Sequence, residues 1–460
     1  MVSKVVIRIV IIWAIIETII ALLQFCHVLD NGHEIYTMSG TFANPSQLGC
    51  LLSLSSVLLV GIISGQKNHP FKLANIFILT FQIAVIILTD SRASFLAVII
   101  GILATIHKKK RFNRHLILLL TILFLALCIG LYLIRPDSVW GRILIWCVSI
   151  TMVLDKPLKG FGHYGFQKNY MLYQADFLKN SSHSIWEQFA DNIAFPYNEY
   201  IHILVDYGIV GLVLFIFIIV MALKAEIVDN ESWLIKYAII SFCSFSLFSY
   251  PLYTYRLFLL FFTFCLSLIL QHWKVYKNGF PCIICIIAII CYGTYHAAYE
   301  YTLKTTVEDA ISSNNVTREL STSDYQRLRQ YPFVMDIYVQ ATYNRKPTIL
   351  FDAIAICPST FIFCRIGDLF QAKNDVINAE YYYRTASHMV PKLIHPKYKL
   401  FMLLYNNERY EDAFRIGDEI MSTEYQIRGT ELLRMIADIQ DLMHKSDNTS
   451  NLNLTNEEGH

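Results

Sequence analysis

The sequence predicts an all-α chain in two parts, a polytopic bundle of transmembrane helices and a soluble helical repeat domain. Three observations carry that prediction. The 460 residues are 55% hydrophobic and only 16% charged, with a mean hydropathy of +0.43, whereas soluble domains average about 45–50% apolar and about 25% charged. The apolar excess fills residues 1–297 and then stops. From there, over 298–445, the chain is polar with a helical period, and its last stretch, 446–460, is rich in Asn, Ser and Glu and reads as a disordered tail. A net charge of +2 gives no reason to expect nucleic acid or a strongly acidic partner.

A span needs about 20 mostly apolar residues. Nine such stretches can be read, near 5–25, 47–65, 71–89, 94–107, 115–134, 198–223, 233–250, 252–272 and 279–296. The first is long enough to cross a bilayer, so no separable signal peptide is expected. Lys and Arg collect on the cytoplasmic side. The strongest cluster, Lys108 to Arg114, is therefore expected inside, and Lys67, Lys72, Lys224, Lys274 and Lys277 join it if nine spans alternate. Lys4 and Arg8 put the N-terminus inside too. The segments 26–46, 89–93 and 135–197, and everything after about 297, then face outward.

Cysteine carries little information here. Cys282 and Cys285 have redox or zinc spacing but sit in an apolar run and read as core. A disulfide between Cys357 and Cys364 stays open. No metal site is expected, since His163 and His183 stand twenty residues apart without a local ligand cluster.

The outward loops hold the unusual polar residues. The first contains Ser39-Gly-Thr-Phe-Ala-Asn44-Pro-Ser46, in which Asn-Pro reads as a turn or as the start of the next helix. In the second, Asp90-Ser91-Arg92, a charged Arg between two spans needs a partner or a function, and Asp90 is one candidate partner. The third opens with Trp140-Gly-Arg142 and continues through Trp146 to Met152 as an interfacial helix. Arg142 and Trp146 share one face of it. There Arg142 is either an anchor in a Trp belt or a ligand for a lipid phosphate, which its planar fork suits. A Gly-rich turn follows, Asp155-Lys-Pro-Leu-Lys-Gly-Phe-Gly162-His163, with no strand–helix context for a nucleotide. Finally Tyr197-Asn198-Glu199 leads into a span in which Asn198, His202 and Asp206 recur every fourth residue. Such a stripe is either an interhelical hydrogen-bond network or a site in which Asp206 orients His202 as a base.

Taken in order, these pieces resemble the O-antigen ligase superfamily, which includes O-antigen ligases, Wzy-type O-antigen polymerases and bacterial protein O-oligosaccharyltransferases. The resemblance covers roughly 40–225 and rests on Gly40 to Ser46, Ser91-Arg92, Gly141-Arg142 with Trp146 and Asp155 to Gly162, and Tyr197 to Tyr200 with Gly208 to Gly211. It implies a GT-C-like helical membrane domain in a bacterial inner membrane, with the C-terminal part in the periplasm. It further implies metal- and cofactor-independent transfer of a glycan from a polyprenyl-diphosphate lipid to an acceptor hydroxyl on a lipid, a glycan or a protein. By the same resemblance Arg92 and Arg142 hold the diphosphate, and the start of the sixth span supplies the base. Two departures stand out. Tyr197 occupies the position where the family usually has His, which leaves His202 with Asp206, Glu199 or His163 as the base. Only one span precedes the Asn-Pro loop, as expected of a truncated start or a short form.

Beyond 298, Phe363, Gly367, Phe370, Ala379, Tyr383, Ala386 and Pro391 follow the order of a tetratricopeptide repeat, and Ala413 stands 34 residues after Ala379. Such repeats mostly bind peptides or proteins, so a protein partner is expected there. The competing classes are a membrane-anchored repeat scaffold without catalysis and, on less ground, a transporter, which would carry repeated halves and broken helices.

Overall fold

In a computed structural model the chain is described except for Met1, residues 32–35, 66–70, most of 110–135, 180–184, 227–230, 277–279, 313–319, 424, 426–428 and 458–460. Among the described residues there are eighteen α-helices and no strand. Among the described residues, six helices are long and apolar enough to cross a membrane: Ser3–Phe25, Pro45–Gly65, Pro136–Asp155, Glu199–Lys224, Tyr255–Trp273 and Phe280–Ile311. Five of them coincide with expected spans. Pro136–Asp155 is the difference, because the sequence reading has an interfacial helix there. The expected spans at 71–89, 94–107 and 233–250 are the helices Lys72–Leu88, Arg92–Lys109 and Ser232–Ser246. The expected span at 115–134 and most of the basic cluster before it lie outside the described residues.

The chain divides into two compact units that interleave along the sequence. The first comprises Met1–Pro136, Lys156–Gly162 and Phe195–Tyr299. Its helices are apolar all round, and side chains such as Ile209, Val210, Val213 and Phe217 stay exposed, as lipid-facing residues do. Small residues let its helices close up. A Cβ on Gly49 would meet the Ser94 side chain at 2.2 Å, one on Gly61 would meet Leu234 at 1.9 Å, and one on Gly101 would meet Val57 at 2.4 Å. Serines finish these contacts, with Ser53 donating to the Ser94 carbonyl at 3.0 Å and Ser241 to the Ala97 carbonyl at 2.9 Å.

The second unit comprises Asp137–Asp155, His163–Ala194 and Glu300–His460. This unit thus takes in two pieces from before residue 297 along with the C-terminal helices. Polar contacts explain the joining. Buried Gln174 donates to the carbonyls of Asp191 and Met389 at 3.0 and 2.6 Å, and Asn192 donates to Thr360 at 3.2 Å. The helices Thr360–Ala372 and Val376–Met389 are followed by Ile394–Asn406 and Tyr410–Ser422, each pair starting 34 residues after its counterpart. Gly367 gives Tyr383 its seat, for a Cβ there would meet the ring at 2.4 Å. Cys357 and Cys364 are both free, so the open disulfide does not form. Helix Thr430–Glu457 runs into the stretch read as a disordered tail. Its packed start, around Leu432, Met435 and Ile439, supplies a nucleus from which further turns propagate at little cost.

Candidate active site

The first unit brings together the polar stripe expected at the start of the sixth span. Asn198 is the N-cap of helix Glu199–Lys224, with φ −154° and a side-chain oxygen accepting from the amides of Tyr200 and Ile201 at 3.0 and 3.1 Å. Its observed role is capping. Behind it, Glu199 is buried and accepts from the Leu252 amide at 3.2 Å, which ties the helix start to the 3-10 turn Pro251–Tyr253. Imidazole nitrogens of His202 face carboxylates on both sides, Nδ1 at 3.5 Å from Glu199 and Nε2 at 3.6 Å from Asp206. Carboxylates on both sides therefore orient the ring. Tyr197 has a left-handed backbone, φ 52°, costly for a bulky residue, and sets its ring edge-on to Tyr250 at 5.5 Å.

Two residues beyond Asp206 the helix breaks. Gly208 has φ 66° and ψ −168°, a region only glycine enters readily. The break orphans two carbonyls and two amides, and the loop 157–162 satisfies all four. Phe161 and Gly162 donate to the carbonyls of Val205 and Asp206 at 2.9 and 2.8 Å, while Ile209 and Val210 donate to the carbonyls of Pro157 and Leu158 at 2.8 and 3.4 Å. The chains touch so closely that a Cβ on Gly208 would meet the Leu158 carbonyl at 2.3 Å, and one on Gly160 the Val205 carbonyl at 2.4 Å. Non-helical backbone within an apolar helix needs this complete accounting. The Gly-rich turn, without meaning as a nucleotide motif, is thus the structural partner of the helix that carries His202.

Arg92 opens helix Arg92–Lys109 in the same unit. It is half-buried and forms no ion pair or side-chain hydrogen bond among the described residues, so Asp90 is not its partner. A guanidinium on the positive end of a helix is unfavourable unless something negative comes to it. Ser91, its neighbour, shares hydrogen bonds with Ser94 at 2.7 Å and Ser46 at 3.1 Å.

Arg142 and His163 belong to the second unit. Arg142 is half-buried on helix Pro136–Asp155, whose first turn sets Trp140 against Trp186 and Phe189 at 5.9 and 6.3 Å. The His163 ring lies on Tyr164 at 4.0 Å, and Tyr164 donates to Glu300 at 2.6 Å. Tyr173 donates to Asp155 at the far end of the same helix; burial first, then that carboxylate, push its hydroxyl up to about 12.

Two residues escaped the sequence reading. Glu17 is buried in the first helix and accepts from the Trp13 indole at 3.1 Å, the Thr41 amide at 2.8 Å and the Thr41 hydroxyl at 2.5 Å. Arg256 completes the cluster, 3.7 Å from Glu17 and donating to the Thr41 carbonyl at 2.7 Å and hydroxyl. A signal for Glu17 existed: it is the only acidic residue in the apolar run 5–25. No cluster of His, Cys, Asp or Glu suited to a metal ion occurs among the described residues.

Fold and site together define a polytopic helical membrane protein with a polar stripe on a broken span. Residues 74–216 match the family model described as O-antigen ligase, so over that segment the chain is similar to that family. The matched segment includes Arg92, Arg142, His163, Tyr197, Asn198, Glu199, His202 and Asp206 and begins after the Gly40 to Ser46 loop. No curated protein and no solved structure matches the chain.

Proposed function

We propose that the protein transfers a glycan from a polyprenyl-diphosphate lipid to an acceptor hydroxyl at the periplasmic face of a bacterial inner membrane. The observation that carries this reading is Arg92, a half-buried cation at a helix start with no ion pair or side-chain hydrogen bond among the described residues, inside the segment that matches the family model. In the reaction the acceptor oxygen bonds to the anomeric carbon, the bond from that carbon to the diphosphate oxygen breaks, and the electron pair leaves with the diphosphate. Negative charge grows on the leaving group, where a fixed guanidinium lowers the barrier. The acceptor proton passes to His202, oriented by Asp206, with Glu199 holding the helix start. Arg142, also within the family segment, is the second candidate for the diphosphate. None of these steps calls on a metal or a cofactor.

The family accommodates both ligation and polymerisation. One observation favours a protein acceptor or partner: the helix pairs that repeat after 34 residues have the length of a tetratricopeptide unit, a fold that commonly binds peptides. The test is complementation of a deletion strain with wild type and Arg92→Ala, following lipid-linked glycan and the glycosylated product. Wild type should clear the accumulated lipid-linked glycan and Arg92→Ala should leave it. Full rescue by Arg92→Ala would overturn the catalytic reading in favour of a membrane-anchored scaffold.

A further inference from the structure

The segment Ser39 to Ser46 is locked over the buried carboxylate of Glu17 by separate contacts along its length. Gln24 accepts from the amides of Ser39 and Gly40 at 3.0 and 2.8 Å. Gly40 has φ 63°, and a Cβ there would strike the Glu17 carboxylate at 2.4 Å, so only glycine lets the loop settle. Thr41 uses its amide and hydroxyl on Glu17 and its carbonyl on Arg256. Phe42 is buried against Trp13 at 5.9 Å, with the Arg256 guanidinium 4.7 Å from its ring. Asn44 accepts from the Ser46 amide at 2.8 Å and so starts helix Pro45–Gly65. Ser46 then meets Ser91, the residue before Arg92.

Contacts therefore hold both ends of the first loop: Arg256 and Glu17 grip Thr41, and Ser46, five residues further along the chain, meets Ser91, the residue next to Arg92. Arg256 has its guanidinium engaged on Thr41 and Glu17, while the Arg92 guanidinium makes no ion pair or hydrogen bond among the described residues. The division of labour between two cations in one unit is the informative fact. We infer that Glu17 and Arg256 are positioning residues that fix the first loop so that Ser46 and Ser91 aim the Arg92 guanidinium at the donor's diphosphate. The inference rests on the reading of Arg92 as a ligand of that anion. Residues that act through one another give non-additive effects, whereas independent ligands give additive ones.

The experiment is a double-mutant cycle on the full-length protein in nanodiscs, with glycan-free undecaprenyl diphosphate as the probe and its dissociation constant as the readout. Arg92→Ala should weaken binding by about tenfold or more, and Arg256→Gln by about tenfold, with Arg256→Lys recovering part of the loss. Thr41→Val, which removes one hydroxyl, should weaken it by about threefold. In the Arg92→Ala background neither change should cost more than about twofold further, because the residue they act through is gone. Full additivity of Arg256→Gln with Arg92→Ala would overturn the inference, as would unchanged binding in Arg256→Gln while Arg92→Ala is weakened. Unchanged binding in Arg92→Ala would instead overturn the reading of Arg92 itself. Should Arg256→Gln fail to fold, Thr41→Val carries the same cycle, since the cap and the apolar packing of the loop remain.

Discussion

The amide of Gly162 donates to the backbone carbonyl of Asp206 at 2.8 Å, while the Asp206 carboxylate lies 3.6 Å from His202. One residue thus links the Gly-rich loop to the candidate base. Because the helix breaks at Gly208, its carbonyls are free to receive that loop, and the loop in turn fixes the helical turn on which His202 and Asp206 stand.

The glycines of this junction should differ sharply in tolerance. Gly208→Ala and Gly160→Ala place a methyl against backbone at 2.3–2.4 Å and should yield little folded protein, read as loss of the monodisperse peak in detergent. Gly162→Ala meets only open space and the cost of a positive φ, about 1–2 kcal/mol, and should fold with a modestly lower Tm.

Asn198 is expected to act as a cap and not as a chemical group. Asn198→Ser and Asn198→Asp should keep most activity in the complementation assay, and Asn198→Ala should cost about 1 kcal/mol of stability by thermal unfolding. Loss of turnover in Asn198→Ser with unchanged stability would show that it contacts substrate.

Substitution at the histidine stripe should separate orientation from proton transfer. His202→Ala should abolish product formation, while Asp206→Asn should lower the rate by about a hundredfold with the donor KM little changed. Equal activity of wild type and His202→Ala would move the role of base to another group.

In the second unit, burial alone would raise the Glu380 carboxyl, but hydrogen bonds from Arg384 and Arg409 outweigh it and hold it below its usual value. A depressed carboxylate contributes stability that is present above its unfolded pKa and lost as pH falls through the folded one. The Tm of the second unit should therefore decline from about pH 5 downward, and Glu380→Gln should flatten that decline. An unchanged acid limb in Glu380→Gln would show that other carboxylates set it.

Packing in the same unit makes a further prediction. Gly367→Ala drives a methyl into the Tyr383 ring and should destabilise by about 1–3 kcal/mol, read as faster cleavage after residue 300 in limited proteolysis. The nearby exposed change Ile377→Ala should leave that rate unchanged, since the side chain is 82% exposed.

By itself the sequence determined the all-α class, five of the apolar helices long enough to cross a membrane and, over 74–216, the likeness to the O-antigen ligase family. Hydropathy and helical spacing are local properties, and the His202–Asp206 stripe follows from spacing alone. Boundaries were less legible: the sequence reading has Pro136–Asp155 as an interfacial helix, although its length and composition fit a span as well. Only tertiary structure decided that the turn at 157–162 fills a helix break at Gly208, that residues 163–194 join the C-terminal helices, and that Glu17 and Arg256 close on Thr41. Each of these joins chain segments tens to hundreds of residues apart through backbone amides, carbonyls and single charged groups. No local pattern encodes such pairings, because they are specified by which polar groups burial would otherwise leave unsatisfied.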